Sequence, residues 1–208
     1  MKLHFPATQR NRDPILEVLR RVLPTPCTLL ELASGSGEHA THFVQHLSQL
    51  TIQPTDIEQK HLASIDAWTT ELGLTAKIKP AIHLDASDAR WPIFDDGIDA
   101  VLCCNMIHIA PWGACLGVFR GAVDVLAVGA PLIFYGPFRR RDVVTAPSNE
   151  AFDLDLQRRD PSWGVRHLDD VEAVAVAAGF VLDEVIEMPA NNLTVVFRRR
   201  PSSFVESP

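Results

Sequence analysis

The stretch Thr28-Leu29-Leu30-Glu31-Leu32-Ala33-Ser34-Gly35-Ser36-Gly37-Glu38-His39-Ala40 decides how the rest of the chain is read. An apolar run broken by one acid, Glu31, turns through Gly35 and Gly37. Beyond the turn Ala40, Phe43, Val44 and Leu47 recur at three and four residues. That order is strand, turn and amphipathic helix. In an α/β sheet such a turn presents a helix N-terminus to a nucleotide-like ligand, and glycine lets the backbone approach with no Cβ in the way. A glycine pair also makes ordinary tight turns, so the surrounding chain has to decide.

Upstream, residues 1–12 lack periodicity and read as an arm laid over the domain. Asp13-Pro14 reads as N-cap and first residue of a helix whose apolar face carries Ile15, Leu16, Leu19, Val22 and Leu23. Pro24 and Pro26 end it before a strand at 28–33. Downstream, an extended segment at 51–55 ends at Asp56, and a helix with Leu62, Ile65, Thr69 and Leu72 stops at Gly73. A third strand is expected over 77–84, ending at Asp85. After a loop at 87–97, the apolar run 98–106 reads as a strand buried on both faces. The next helix starts near Pro111, turns Leu116, Phe119, Val123 and Leu126 inward and closes at Gly129, before a fifth strand at 131–135.

The segment 136–165 breaks this alternation. It is polar, includes a helix over 149–158, and is too long for a bare α/β loop. Phe138, Phe152 and Trp163 give it apolar anchors, so it reads as an ordered cap. A helix over 169–178 and two strands, 180–187 and 192–199, follow. The connection 188–190 is too short for a crossover helix, so those strands are antiparallel neighbours. The fold class is α/β: a Rossmann-like, doubly wound, mostly parallel seven-stranded sheet with an antiparallel C-terminal strand. One domain is expected over 1–200, with a frayed tail at 201–208.

An apolar fraction of 47% in 208 residues suffices for a buried core. No apolar run reaches the roughly 18–20 residues that cross a membrane, and residues 1–6 lack the apolar stretch of a signal peptide, so a cytoplasmic protein is expected. The net charge of −7 argues against a nucleic-acid partner and favours a small-molecule substrate. Arg139-Arg140-Arg141, Arg158-Arg159 and Arg198-Arg199-Arg200 read as solvated loop and strand ends. Among the cysteines there is no Cys-x-x-Cys pair, and Cys103 and Cys104 read as small core residues in a reduced compartment. His42 and His46 are one helical turn apart, but no Glu follows His42, so His39, His42 and His46 read as an exposed helix face and no metal is expected.

Gly35-x-Gly37-x-x-Ala40, with Asp56 about twenty residues on, satisfies the dinucleotide pattern and admits an NAD-linked oxidoreductase. Three features point elsewhere. Glu31, inside the first strand, can accept hydrogen bonds from the amino-acid end of S-adenosylmethionine or from backbone near it. Asp85, ending the third strand, can accept the adenine amine. The closing hairpin is not the usual ending of a nicotinamide-binding half.

With these features the chain resembles the class I S-adenosylmethionine-dependent methyltransferases from Arg10 to Arg199. More narrowly, Gln9-Arg10-Asn11, Leu30 to His39, Asn105-Met106-Ile107-His108-Ile109-Ala110-Pro111-Trp112 and Tyr135-Gly136-Pro137-Phe138 are similar to a methyltransferase-like subfamily long filed under a domain of unknown function. The resemblance implies fold and cofactor, not acceptor. It implies that Glu31, Ala33, Gly35, Ser36 and Gly37 face the methionine and ribose part of S-adenosylmethionine, that Asp56 takes the ribose hydroxyls beside Ile57, that Asp85 and Ala86 hold adenine, and that Asn105 and Met106 lie beneath the sulfonium. His39 stands where many relatives have a third glycine. Each assignment has a structural competitor: Glu31 pairing with an arginine of the arm, Asp56 as a strand-end N-cap, Asp85 as a turn residue.

Methyl transfer from a sulfonium is an in-line displacement, so the site has to align nucleophile and methyl group and exclude water. A base is required only for a nucleophile that arrives protonated. His108, beyond the fourth strand, is the candidate base, or else a partner of its own loop backbone. Tyr135 ends the fifth strand and can orient a substrate polar group, or pack as a core ring. Asn149 opens the inserted helix as a candidate catalytic residue or a cap. Asn11, with Arg10, can close over the ligand or tether the arm. The expected function is methyl transfer to a small soluble acceptor, with the cap at 136–165 setting specificity. The alternatives are a non-catalytic S-adenosylmethionine-binding protein acting through a partner, and the NAD-linked oxidoreductase.

Overall fold

Leu29, Leu30 and Leu32 of the first strand and Val101, Leu102 and Cys103 of the fourth are each at most 1% exposed. Two parallel strands covered on both faces therefore form the centre of the sheet. The structure is a computed structural model that describes residues 1–93 and 97–201. In chain order it contains α1 (Pro6–Val22), β1 (Cys27–Leu32), α2 (Glu38–His46), β2 (Leu50–Asp56), α3 (Gln59–Glu71), β3 (Ile82–His83) and β4 (Ala100–Cys104). A single helical turn (Met106–His108) leads to α4 (Trp112–Val125), β5 (Pro131–Gly136), α5 (Pro147–Arg159), α6 (Leu168–Ala177), β6 (Phe180–Met188) and β7 (Asn192–Arg199). The seven strands lie in the order β3-β2-β1-β4-β5-β7-β6, with β7 antiparallel to both neighbours. The expected fold class is the one observed. One face is packed by Ile15 and Leu19 of α1 and Phe43 of α2, the other by Phe119 of α4 and Val171 of α6. Strand order reverses between β1 and β4, and in such sheets ligands enter the crevice beyond the carboxyl ends at that point. Among the described residues, no helix is long and apolar enough to cross a membrane.

Several expectations are corrected. The helix expected with Asp13 as N-cap and Pro14 as first residue begins eight residues earlier, at Pro6, and has Pro14 inside it. Proline in a helix interior costs about 3 kcal/mol. Polar tethers that leave no apolar period hold the N-terminal half against that cost. Leu3 N–H donates to Ser64 Oγ (2.8 Å), Trp68 Nε1–H to the Leu3 carbonyl (3.1 Å) and His39 Nε2–H to Asn11 Oδ1 (2.8 Å). Because α1 lies on α2, His39 and His42 are buried rather than exposed, and His42 Nε2 sits 2.8 Å from Asp13 Oδ1. The strand expected over 77–84 shrinks to Ile82–His83 plus an isolated bridge from Ile78 to Ile52, because Pro80 has no N–H to continue the ladder. Phe152, an expected anchor of the cap, is 36% exposed, whereas Phe138 is buried. Residues 94–96 of the loop at 87–97, and 202–208 of the tail, lie outside the described residues.

Helix α4 buries Cys115, Val118, Phe119 and Ala122 and leaves Leu116, expected to point inward, 42% exposed. A glycine row sets this orientation. A Cβ on Gly117 would meet the Ala86 carbonyl oxygen at 2.0 Å, and one on Gly121 would meet the Trp91 ring at 2.1 Å. The loop after β3 therefore packs directly on the helix backbone, where Arg120 also donates to the Ser87 and Asp88 carbonyls at 2.8 Å each. Gly121→Ala is expected to lower unfolding free energy by about 1–3 kcal/mol in urea titrations. Gly113→Ala, whose Cβ would meet nothing within 4 Å, should leave it unchanged or slightly raised.

Candidate functional site

Both strands flanking the point of reversal end in a strained residue. Ala33 after β1 has φ 52° and Asn105 after β4 has φ 60°, left-handed values that non-glycine residues rarely adopt. Each costs on the order of 1 kcal/mol, and such residues cluster where a ligand is held. Gly35 and Gly37 follow at φ +59° and +88°. Space reinforces their conformation, since a Cβ would come within 3.0 Å of the Phe5 ring at Gly35 and 2.9 Å of Ile65 at Gly37.

Glu31 is 1% exposed, and neither carboxylate oxygen has a hydrogen-bond partner. Its main-chain carbonyl, by contrast, accepts from Thr55 Oγ1 (3.0 Å) and Ser34 Oγ (3.2 Å). The pairing with an arginine of the arm is absent. Burial pushes the carboxyl up to about 7 against an opposing pull from the neighbouring Ser34 hydroxyl, and the charge of Asp56 adds to the rise. Glu31 in turn adds to burial in raising the Cys104 thiol, which ends β4 on the same side.

Asp56 is 4% exposed and accepts from Gly35 N–H (2.9 Å), Glu58 N–H (2.9 Å) and His61 Nδ1–H (3.0 Å). Of roughly four acceptor positions on a carboxylate, one is left. Asp56 thus clamps the glycine turn to the start of α3. Ile57 beside it is 53% exposed at the same sheet edge. The Ser36 hydroxyl faces inward and donates to Glu38 Oε2 (2.9 Å). Glu38 also accepts from Phe5 N–H (2.8 Å) and His4 Nδ1–H (3.2 Å), and these bonds outweigh burial and hold its pKa below the ordinary carboxylate range. Residues 1–5 are thereby strapped across the turn, with the Phe5 ring on Gly35 and edge-on to His61.

Asp85 Oδ1 accepts from Ser87 Oγ (2.6 Å) and Ser87 N–H (2.8 Å), which lower its pKa. Asp85 thus closes its own turn through one oxygen, and the buried Ala86 behind it is held by α4. Beyond β4, Asn105 N–H donates to the Tyr135 carbonyl (2.7 Å), which locks the ends of β4 and β5 together above the buried Met106. Tyr135 is 4% exposed, and its hydroxyl meets the Asn11 side chain that His39 holds. Burial pushes Tyr135 up and pushes His39 down to about 4, so both are neutral near pH 7.

His108 is 1% exposed, edge-on to Phe138, and burial with the Arg166 charge pushes it down to about 3. Its Nδ1 accepts from Arg166 N–H at 3.2 Å, so Nε2 carries the ring proton. That Nε2 has no partner and lies 2.7 Å from where a Gly136 Cβ would stand. In that tautomer Nε2 can donate a hydrogen bond across the gap beside Gly136.

The segment 136–165 is ordered by charges that the sequence reading left as solvated. Arg139 makes a bidentate pair with Glu150 (2.6 Å to each oxygen) and reaches Asp153 (3.0 Å). Asp153 Oδ1 accepts Val165 N–H (2.7 Å). Arg166 donates to the Ile107, Ala110 and Ser162 carbonyls and covers the Trp112 ring, fastening the cap to the His108 loop. Asn149 lines a cleft with Phe138 and Leu193. Its Nδ2 donates to the Asn191 carbonyl (2.8 Å) at the edge of that cleft, which has a volume of about 100 Å³ and lies between the cap and the β6–β7 turn. Reading had missed Phe5, His61, Arg139 and Arg166. The spacing Arg139…Glu150…Asp153, with the two acids three apart on one helix face, was the one available signal.

A family model described as "Protein of unknown function (DUF938)" matches residues 2–199. Among solved structures, 93% of the chain aligns with a putative O-methyltransferase from Nostoc punctiforme at TM-score 0.80 and 19% identity, covering 57% of that chain. Mitomycin 7-O-methyltransferase aligns over 93% of the chain at TM-score 0.78 and 14% identity, covering 54% of its length. A putative sarcosine dimethylglycine methyltransferase from Galdieria sulphuraria gives TM-score 0.72 and 15% identity over 93% of this chain and 87% of that one. The chain thus spans little more than half of the first two, and at these identities the likeness is one of fold.

The Glu31 geometry has a thermodynamic consequence. Its ordinary value is 4.5 and its folded value about 7, so in that interval the folded state holds a proton the unfolded state has lost. Stability should fall as pH rises from about 4.5 to about 7, by about 3 kcal/mol in total, and level off above. Urea unfolding across this range should show the fall in the wild type and its loss in Glu31→Gln. Parallel profiles would contradict the burial argument.

Proposed function

This chain belongs to the DUF938 family and has the class I methyltransferase fold, and we propose that it is an S-adenosylmethionine-dependent methyltransferase acting on a small-molecule acceptor. The observation that carries the reading is Glu31. A buried carboxylate with no partner costs several kcal/mol unless a cation or hydrogen-bond donor completes it, and the methionyl ammonium of the cofactor supplies both. The two left-handed residues and the two glycines supply a backbone cradle at the same edge. Each of the three solved structures described above is a methyltransferase or putative methyltransferase by its own description, which favours this chemistry over hydride transfer.

When bound, S-adenosylmethionine supplies an electrophilic methyl group on a sulfonium. The chain's part is binding, alignment and exclusion of water. Glu31 holds the ammonium. Gly35, its N–H fixed by Asp56, keeps the turn open to the ligand, and the remaining acceptor position of Asp56 takes a ribose hydroxyl. Ile57, an exposed apolar side chain beside that carboxylate, offers one face to the adenine, with the Asp85-Ala86 turn at its rim. The Phe5 strap covers the turn. Asn105, Tyr135 and His108 line the ends of β4 and β5. We assign His108 Nε2–H as a donor that orients the acceptor, and the cap as the wall that shapes its pocket. With no free base among these three, the acceptor presents its nucleophile already deprotonated or loses its proton to solvent.

Titration calorimetry with S-adenosylhomocysteine tests the reading. The wild type should bind it and show no heat with NAD or NADH. Glu31→Ala and Asp56→Ala should each weaken binding by about ten- to a hundredfold, as loss of a charge-assisted hydrogen bond does. Because Glu31 must ionise to hold the ammonium, wild-type affinity should rise about tenfold from pH 6 to pH 8, and Glu31→Gln should abolish the rise. Undiminished affinity in both alanine variants would remove the cofactor assignment.

A further inference from the structure

Residues 2–5, which precede α1, are tied down one by one. Leu3 N–H donates to Ser64 Oγ (2.8 Å), and the Leu3 carbonyl accepts from Trp68 Nε1–H (3.1 Å). Lys2 pairs with Glu71 and stands over the Trp68 ring, 4.2 Å from its centroid. His4 meets the same ring edge-on at 5.0 Å, and Phe5 N–H donates to Glu38 Oε2 (2.8 Å). Two of these anchors continue to the glycine turn. The Ser64 hydroxyl that accepts Leu3 N–H donates onward to the Ser36 carbonyl (2.7 Å). The Glu38 oxygen that accepts Phe5 N–H also accepts the Ser36 hydroxyl (2.9 Å). Both routes end on the residue between Gly35 and Gly37.

The Phe5 side chain makes a different kind of contact. Two of its ring carbons lie 3.0 and 3.4 Å from where a Gly35 Cβ would stand. The ring is also edge-on to His61, with centroids 5.6 Å apart, and His61 in turn holds Asp56 at 3.0 Å. It therefore touches the turn at Gly35 and the histidine that braces Asp56, the two groups given to the ribose side of the cofactor. The hydrogen bonds of the strap fall instead on side chains of α2 and α3. A cover at the site with fastenings outside it is the arrangement of a lid. Beyond Phe5 the chain is fixed: Pro6 opens α1, Thr8 N–H donates to the Phe5 carbonyl (2.9 Å), and Ile15 and Leu19 are buried. Phe5, extended at φ −112° and ψ 113°, is the joint between strap and helix.

Resting on the methyltransferase reading, we propose that residues 1–5 are a gate on cofactor exchange, swinging about Phe5 to admit S-adenosylmethionine to the turn and closing with the Phe5 ring over its ribose side. Opening breaks the bonds to Ser64, Trp68 and Glu38, so entry and escape wait for the same local event. Because two of those anchors also hold Ser36, the closed strap keeps the turn in the shape the ligand meets. A ring that only touched the bound cofactor would slow its escape and leave its entry alone. A gate slows both.

The test measures association and dissociation rates of S-adenosylhomocysteine on the full chain by surface plasmon resonance. Phe5→Ala should raise both rates by about tenfold, as removing a half-buried aromatic cover does. Trp68→Phe, remote from the crevice, keeps the ring and loses the bond to Leu3, so it should raise both rates by about two- to tenfold. In each variant the dissociation constant should change less than either rate. Arg21→Gln, which breaks an exposed pair with Glu184 at the other end of α1, should leave both rates as they are. Should Phe5→Ala fail to fold, Trp68→Phe decides alone. Faster dissociation with unchanged association would overturn the gate, because the strap is then only a contact. Unchanged rates in both variants, or equal acceleration in Arg21→Gln, would overturn it too while leaving the cofactor reading intact. A wild type that binds no S-adenosylhomocysteine would overturn that reading and the gate with it.

Discussion

A carboxyl group sealed inside a protein has to keep its proton or acquire a cation, because the interior solvates charge poorly. Glu31 sits under that constraint at the carboxyl end of a strand with apolar neighbours on both faces. Its carbonyl is satisfied twice over while its side chain is not satisfied at all. A chain whose only task was to fold would gain stability from a hydrophobic residue there. Retaining the acid trades stability for a site, and the rest of the crevice is arranged around that trade.

The arrangement works by holding backbone where side chains would intrude. Asp56 spends most of its hydrogen-bonding capacity on Gly35, Glu58 and His61, so the turn is rigid before any ligand arrives. Gly117 and Gly121 let the loop after β3 lie against α4. Arg139 and Arg166 convert a long polar insertion into a fixed wall over His108. Tyr135, Asn11 and His39 link β5 to α1 and α2. These are pre-organising contacts, which reduce the reorganisation left to be done when reactants meet.

Most of the fold was legible in the sequence because apolar periodicity and glycine stops mark burial, and burial dominates this sheet. The β1–turn–α2 unit, the doubly buried β4 and the closing hairpin followed from those patterns. What escaped is held by contacts with no period. The first turns of α1 depend on Ser64, Trp68, Glu38 and His39, between 28 and 65 residues away, so Pro14 looked like a helix start. Leu116 looked inward because the glycine row that orients α4 carries no apolar mark. Glu31 and the glycines could be singled out because an acid inside an apolar strand and a close glycine pair are residue types that burial alone does not call for. The bonds that His108, Asp85 and Asn149 make depend on which group each side chain meets, and only the folded chain supplies that.

The account depends most on the ionisation of Glu31, and that can be observed directly. Carboxyl carbon NMR of protein labelled at glutamate, with Glu31→Gln to assign the resonance, follows its titration with and without S-adenosylhomocysteine. The expected result is a midpoint near 7 in the free protein, moving below the ordinary carboxylate value when the ligand's ammonium is bound. A midpoint at the ordinary value in the free protein, or one that the ligand leaves unmoved, would contradict the account.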